Sequence, residues 1–160
     1  MTEVSGPVVG QRAPAFKLPS SSGGDLGPED FVGKQALVLY FYPKDDTTGC
    51  TAEACQFRDL SAEFAAAGAA IVGVSPDPLK SHGKFVGKYG LNFPLLADEG
   101  AKACQQYGVW KEKSMYGRKY MGVERTTFLI DRDGVVRKVY PKVSVTGHAE
   151  AVLEDVASLG

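Results

Sequence analysis

The 160-residue chain is short of several things, and each shortage excludes a class of protein. It has three cysteines, Cys50, Cys55 and Cys104, and an odd count in a chain of this length is not a disulfide scaffold. It has two histidines, His82 and His148. With so few, and a C-x4-C spacing wider than most paired zinc ligands, no metal site is expected. Neither sign of charge dominates: 18 basic against 19 acidic residues give a net charge of −1. This argues against a strongly basic nucleic-acid binder. The longest dense apolar run is 36–42 (ALVLYFY), whereas a bilayer-spanning helix needs about 20 such residues, so no membrane span is expected. Residues 1–12 lack the basic start and apolar stretch of a secretory signal, which makes the cytoplasm the expected location. We find no internal repeat, low-complexity tract or linker, and expect one domain over 1–160.

What is present alternates. The run 36–42, bounded by Gln35 and Pro43, predicts a central strand buried on both faces. The loop PKDDTTG follows at 43–49. Phe57, Leu60 and Phe64 recur at helical spacing, predicting a helix over 51–67 that Gly68 stops. Further strands are predicted at 16–18, 70–75 and 93–97, and helices at 77–89, 101–107 and 148–159. Residues 108–123 read as an irregular or hairpin stretch, basic and aromatic. Two strand-like runs, 126–131 and 135–140, flank Asp133-Gly134, a hairpin signal. Strands alternating with helices imply an α/β fold with a parallel core, to which the late hairpin adds antiparallel strands. Such a mixed sheet carries helices on both faces, with its site beyond the carboxyl ends of the parallel strands.

Cys50 stands at that place. Asp45 to Gly49 precede it, and a helix is predicted to start at or just after it. The positive end of a helix and its free N–H groups favour a thiolate, the nucleophilic form. The Thr47 hydroxyl lies within reach of the sulfur or of its substrate, and Gly49 permits close approach to the backbone. Arg125, just before the 126–131 strand, is the best candidate for a stabilising cation. Asp45 and Asp46 would oppose a thiolate, so both are expected to point to solvent. Glu53 reads as a first-turn acid that complements the helix dipole. His82 reads as a surface helix residue, and His148 as a cap or an exposed residue.

Cys55 is either a packing residue or a resolving thiol. In an intact helix, residues five apart are separated by about 7.5 Å of rise and roughly 140° of rotation, while a disulfide needs Cα atoms about 4.4–6.8 Å apart. If Cys50 and Cys55 pair, the first helical turns must unwind. Cys104, in AKACQQY, reads as a partly buried packing residue. Neither histidine has a context that suits a cysteine protease.

The pattern Pro43-x-x-x-Thr47-x-x-Cys50 resembles the P-x-x-x-[TS]-x-x-C signature of peroxiredoxins. The stretch FYPKDDTTGCTAEACQFRD (41–59) resembles the bacterioferritin comigratory protein, or peroxiredoxin Q, subfamily. So do GQRAPAF (10–16), GVSPD (73–77), FPLLAD (93–98), YGVW (107–110) and RTTFLID (125–131), all in family order. The resemblance implies a thioredoxin-like fold and thiol-dependent reduction of peroxides without metal or organic cofactor. It makes Cys50 the peroxidatic cysteine, oxidised to a sulfenic acid, and Cys55 the resolving cysteine that closes an intramolecular disulfide. It has Thr47 hold peroxide and thiolate, Pro43 shield the sulfur, Arg125 stabilise the thiolate and polarise the peroxide, and the Gly49 and Cys50 amides bind peroxide oxygens. It further implies recycling by thioredoxin or a similar dithiol protein, and a monomer. A disulfide oxidoreductase of thioredoxin type fits less well, because C-x4-C replaces C-x-x-C. A redox switch needs no such set of residues. Trp110, the only tryptophan, is expected to pack near the helix that must unwind.

Overall fold

A computed structural model describes residues 6–159, so the first five residues of the amino-terminal segment read above lie outside the described residues. Strand β3 (Ala36–Phe41) is the buried run expected, and every residue in it is buried. Alternate side chains leave its opposite faces. Val38 and Tyr40 enter one core, with Tyr42 just beyond the strand end. Leu37, Leu39 and Phe41 enter the other.

Around β3 lie β4 (Ala69–Ser75), β5 (Leu95–Ala97), β8 (Thr126–Ile130) and β9 (Val136–Tyr140), in the order β5-β4-β3-β8-β9. β3, β4 and β5 run parallel. β8 is antiparallel to β3, and β9 to β8. This is the mixed sheet expected, and the Asp133-Gly134 signal makes the β8–β9 turn. There Gly134 takes φ +84, and the Asp131 carboxylate accepts from the Asp133 and Val135 amides.

One face of the sheet is covered by α1 (Thr48–Asp59), α2 (Ser61–Ala66), α3 (Leu79–Tyr89) and α5 (His148–Ala157), whose buried residues include Phe57, Phe64, Phe85 and Val152. The other face holds the short α4 (Lys102–Gln106), the 3-10 turn Pro28–Phe31, part of the amino-terminal segment and the base of a hairpin. That hairpin, β6 (Trp110–Met115) with β7 (Arg118–Val123), forms a sheet of its own within 108–123. The strand expected at 16–18 is a short pair, β1 (Leu18–Pro19) with β2 (Asp25–Leu26).

Two expectations need correction. The helix expected over 51–67 begins at Thr48 and is two helices, broken at Leu60 (φ −101, ψ 6). Phe57 and Phe64 are seven residues apart, about 10.5 Å along a straight helix. Across the break both stay in one core, with ring centroids 5.8 Å apart. Trp110 packs against the cluster that contains Cys104, on the sheet face opposite Cys50 and α1.

Candidate active site

β3 ends at the carboxyl edge of the parallel strands, and the chain turns through 43–47 into α1. Thr47 is the N-cap residue, extended at φ −93 and ψ 159, and its side chain makes no cap hydrogen bond. The Thr48, Gly49 and Cys50 amides therefore lie in the first turn, without helical acceptors. Thr47 Oγ1 instead donates to the Lys44 carbonyl at 2.8 Å. The expected reach of this hydroxyl to sulfur is thus turned back on the loop, and its oxygen remains an acceptor. Pro43 is half-buried where the strand ends.

Cys50, the third residue of α1, is 1% exposed. Arg125, between β7 and β8, donates from Nη2 to Cys50 Sγ at 3.3 Å. Gly49 makes this approach possible: a Cβ there would stand 3.0 Å from Arg125 Nη2. The expected close approach at Gly49 is realised, and the guanidinium is what approaches. A cation hydrogen-bonded to sulfur favours the anionic nucleophile.

Glu53 is not a solvated dipole partner. It is 1% exposed and accepts from Arg125 Nη1 at 2.7 Å. Burial pushes its carboxyl up to about 7, and Arg125 offsets this only in part. Its other oxygen, and the buried Tyr40 hydroxyl, have no hydrogen-bond partner among the described residues. Arg125 is therefore shared between the sulfur and a carboxyl on one helix face. The spacing of Cys50 and Glu53, three apart, was the sequence sign that they face the same way. The hairpin borders this site. Burial and the like charge of Arg125 lower the Lys113 ammonium, while the Cys50 and Glu124 charges act the other way.

Of the two loop acids, one meets the expectation and one departs from it. Asp46 stays on the surface, bonded to Lys88 and Tyr89. Asp45 turns inward to Tyr42, Ser81 and His82. His82 is therefore no surface residue but fully buried. His148 is buried too, its Nε2 2.8 Å from Thr127 Oγ1, and its ring meets Phe57 edge-on. Burial, then the positive charge of Arg125, push His148 down to about 4. In each case a polar residue expected in water finds partners distant in sequence, which no local pattern announces.

Cys55 is half-buried and Cys50 buried, both are free thiols, and α1 is continuous through both. The structure thus holds the helix that must open before they can pair. Cys104 is fully buried, deeper than expected, and its amide donates to Asp98 at 2.8 Å. Among the described residues no group of three His, Cys, Asp or Glu could hold a metal ion, and no helix is long and apolar enough to cross a membrane.

A mixed α/β sheet with an arginine-bound thiol where its central strand passes into a helix defines a thioredoxin-like thiol enzyme. The chain belongs to the AhpC/TSA family, whose model matches residues 9–139. Among its relatives, peroxiredoxin Bcp of Bacillus subtilis is 46% identical over 151 residues, covering 94% of this chain and 96% of its own length. The solved bacterioferritin comigratory protein of Xanthomonas campestris is 44% identical with a TM-score of 0.85, covering 90% of this chain and 91% of its own. A peroxiredoxin Q mutant of Xylella fastidiosa is 37% identical with a TM-score of 0.91, covering 97% and 98%. The resemblance to the bacterioferritin comigratory subfamily therefore extends over nearly the whole chain, and the fold is that of thioredoxin-type peroxiredoxins.

Proposed function

We propose that this chain, a peroxidase of the peroxiredoxin class, reduces hydrogen peroxide and organic hydroperoxides at Cys50 and works as a single domain. The observation that carries the reading is the Arg125 guanidinium, bonded at once to Cys50 Sγ and Glu53. The thiolate attacks the terminal oxygen of the peroxide. An S–O bond forms and the O–O bond breaks. Sulfur becomes a sulfenic acid, and the departing oxygen takes up a proton to leave as water or an alcohol.

The geometry supports a role for each neighbour. Arg125 holds the thiolate and faces the charge that develops on the peroxide oxygens. The Gly49 and Cys50 amides, at the positive end of α1, donate to those oxygens. The Thr47 hydroxyl spends its proton on Lys44, so it receives the hydroperoxide O–H as an acceptor. Pro43, half-buried beside the loop, brings no N–H and limits water at the sulfur. The Xanthomonas relative has alkyl peroxide reduction activity, which supports organic hydroperoxides as substrates here.

Cys55 then attacks the sulfenic sulfur, an S–S bond forms and water leaves. The opening turns of α1 unwind for this step. Thioredoxin or a similar dithiol protein reduces the disulfide and is itself oxidised. We place the reaction in the cytoplasm, in a monomer that needs no metal or organic cofactor and binds neither nucleic acid nor membrane. Peroxide consumption with a thioredoxin system tests the reading. Cys50→Ser is expected to be inactive, and Cys55→Ser to react once without thioredoxin-driven turnover. Consumption by Cys50→Ser at the wild-type rate would overturn it.

A further inference from the structure

The active-site loop is held from outside by a buried polar cluster that the reaction does not use. Asp45 is its centre. The Tyr42 hydroxyl donates to Asp45 Oδ1 at 2.5 Å, and the Ser81 hydroxyl to Oδ2 at 2.7 Å. His82 Nδ1 lies 2.7 Å from the same Oδ2. The other ring nitrogen, Nε2, lies 2.8 Å from the Leu96 carbonyl. These partners come from the end of β3, from α3 and from β5. Asp77 is bonded to the Asp45 amide, and Asp46, Lys84 and Lys88 line the same surface beside Asp45 and Ser81.

The hydrogen-bond partners bear on the charge of the pair. A carbonyl only accepts, so Nε2 carries a proton. Asp45 receives two hydroxyl donors, as suits a carboxylate. Burial alone would raise its carboxyl, yet the bonds from His82, Tyr42 and Ser81 hold it below its ordinary value. A carboxylate at 2.7 Å from Nδ1 requires a proton there as well. The fully buried ring thus faces an acceptor oxygen at each nitrogen.

This pair reaches the chemistry through one peptide unit. The Lys44 carbonyl and the Asp45 N–H belong to the same rigid plane. The N–H donates to Asp77 Oδ2 at 2.8 Å, and the carbonyl accepts the Thr47 hydroxyl at 2.8 Å. Fixing Asp45 therefore fixes the plane, and the plane aims Thr47. We propose that His82, as an imidazolium paired with Asp45, is a positioning residue that aims the Thr47 hydroxyl at the peroxide. This rests on the Cys50 peroxidase reading, and it assigns His82 no contact with substrate or sulfur.

Two measurements test it. The first needs no activity: 15N spectra of the histidine rings, assigned with His148→Gln. His82 is expected to carry protons on both nitrogens at pH 7, and a single protonated nitrogen would overturn the proposal. The second is a double-mutant cycle on the rate constant for oxidation by cumene hydroperoxide. His82→Gln and Asp45→Asn are each expected to slow oxidation about ten- to a hundredfold. Cys50 alkylation by iodoacetamide should stay within about twofold of wild type, since the arginine contact is untouched. In a Thr47→Val background the same substitutions should cost under about twofold, because their effect passes through that hydroxyl. Costs that add to that of Thr47→Val, or alkylation that falls together with oxidation, would overturn the proposal. If His82→Gln fails to fold, Ser81→Ala removes a single donor to Asp45 and enters the same cycle. Wild-type consumption by Cys50→Ser would instead strike the underlying reading and leave the ring spectra standing.

Discussion

Cys50 and Cys104 occupy equivalent places and have opposite surroundings. Each is the third residue of a helix, α1 for Cys50 and α4 for Cys104, and each is essentially inaccessible, at 1% and 0% exposure. Burial and helix position therefore do not distinguish them. Their neighbours do. At α4 the Asp98 carboxylate takes the Ala103 and Cys104 amides, so an anion already sits on the helix start. Burial, then that charge, push the Cys104 thiol far above its ordinary range. At α1 no side chain caps the helix, and the charge against the sulfur is the Arg125 guanidinium. Glu53, the acid beside Cys50, is turned onto that arginine. Two equally buried thiols thus face neighbours of opposite charge, the contrast on which the proposed role of Cys50 rests.

The strongest way to break this comparison is to remove each thiol. Cys50→Ser should reduce peroxide consumption to background. Cys104→Ala should leave the rate within about twofold and cost about 1 kcal/mol of stability in a chemical melt, as for a small buried truncation. Next in size is the cation. Arg125→Gln should lower the oxidation rate constant about a hundred- to a thousandfold in stopped-flow measurements, the usual loss for one oriented donor in a site. A loss below tenfold would mean that the helix start alone activates Cys50. Smaller again is Asp98→Asn, which should speed Cys104 alkylation at pH 9. Cys104 should remain much slower than Cys50, because burial persists.

The smallest effect is in the pH dependence of stability, where Glu53 and His148, both near Arg125, act in opposite directions. Glu53 is raised from 4.5 to about 7, so the folded state holds its proton more tightly. Its contribution is most favourable below 4.5 and is lost as pH rises to about 7. His148 is lowered from 6.5 to about 4, so the unfolded state takes the proton first. Its penalty disappears as pH rises from about 4 to 6.5. The two slopes oppose one another in the wild-type protein. Glu53→Gln should leave stability rising with pH across this window, and His148→Gln should leave it falling, as read from denaturant midpoints.

The parts of this contrast that sequence could reveal are those written locally. The apolar run of β3, the Asp133-Gly134 turn and the polar approach to Cys50 each follow from a few adjacent residues. Cys104 beside Ala101 and Ala103 reads as packing, and it is packed. Arg125 was recognisable by its place before a strand. The partners that decide charge were not legible, because they meet across long separations. Glu53 meets Arg125 72 residues away, and Asp45 meets His82 37 residues away. A lone histidine or acid on a helix defaults to solvent unless its partner is known. The break at Leu60 was hidden because Phe57, Leu60 and Phe64 keep helical spacing straight through it.

The two ends of the segment carrying Cys50 and Cys55 are both nailed down. On one side Asp45 and Asp46 fasten the loop to α3. On the other, Phe57 is wholly buried beneath α1. Between these anchors the chain is coiled at about 1.5 Å per residue, against roughly 3.3 Å when extended. It behaves mechanically as a tether with slack wound into it. If Cys50 and Cys55 pair as proposed, releasing two turns supplies the length for the sulfurs to meet between these anchors. On that reading the motion is a local unspooling, with the rest of the fold as the frame that rewinds it.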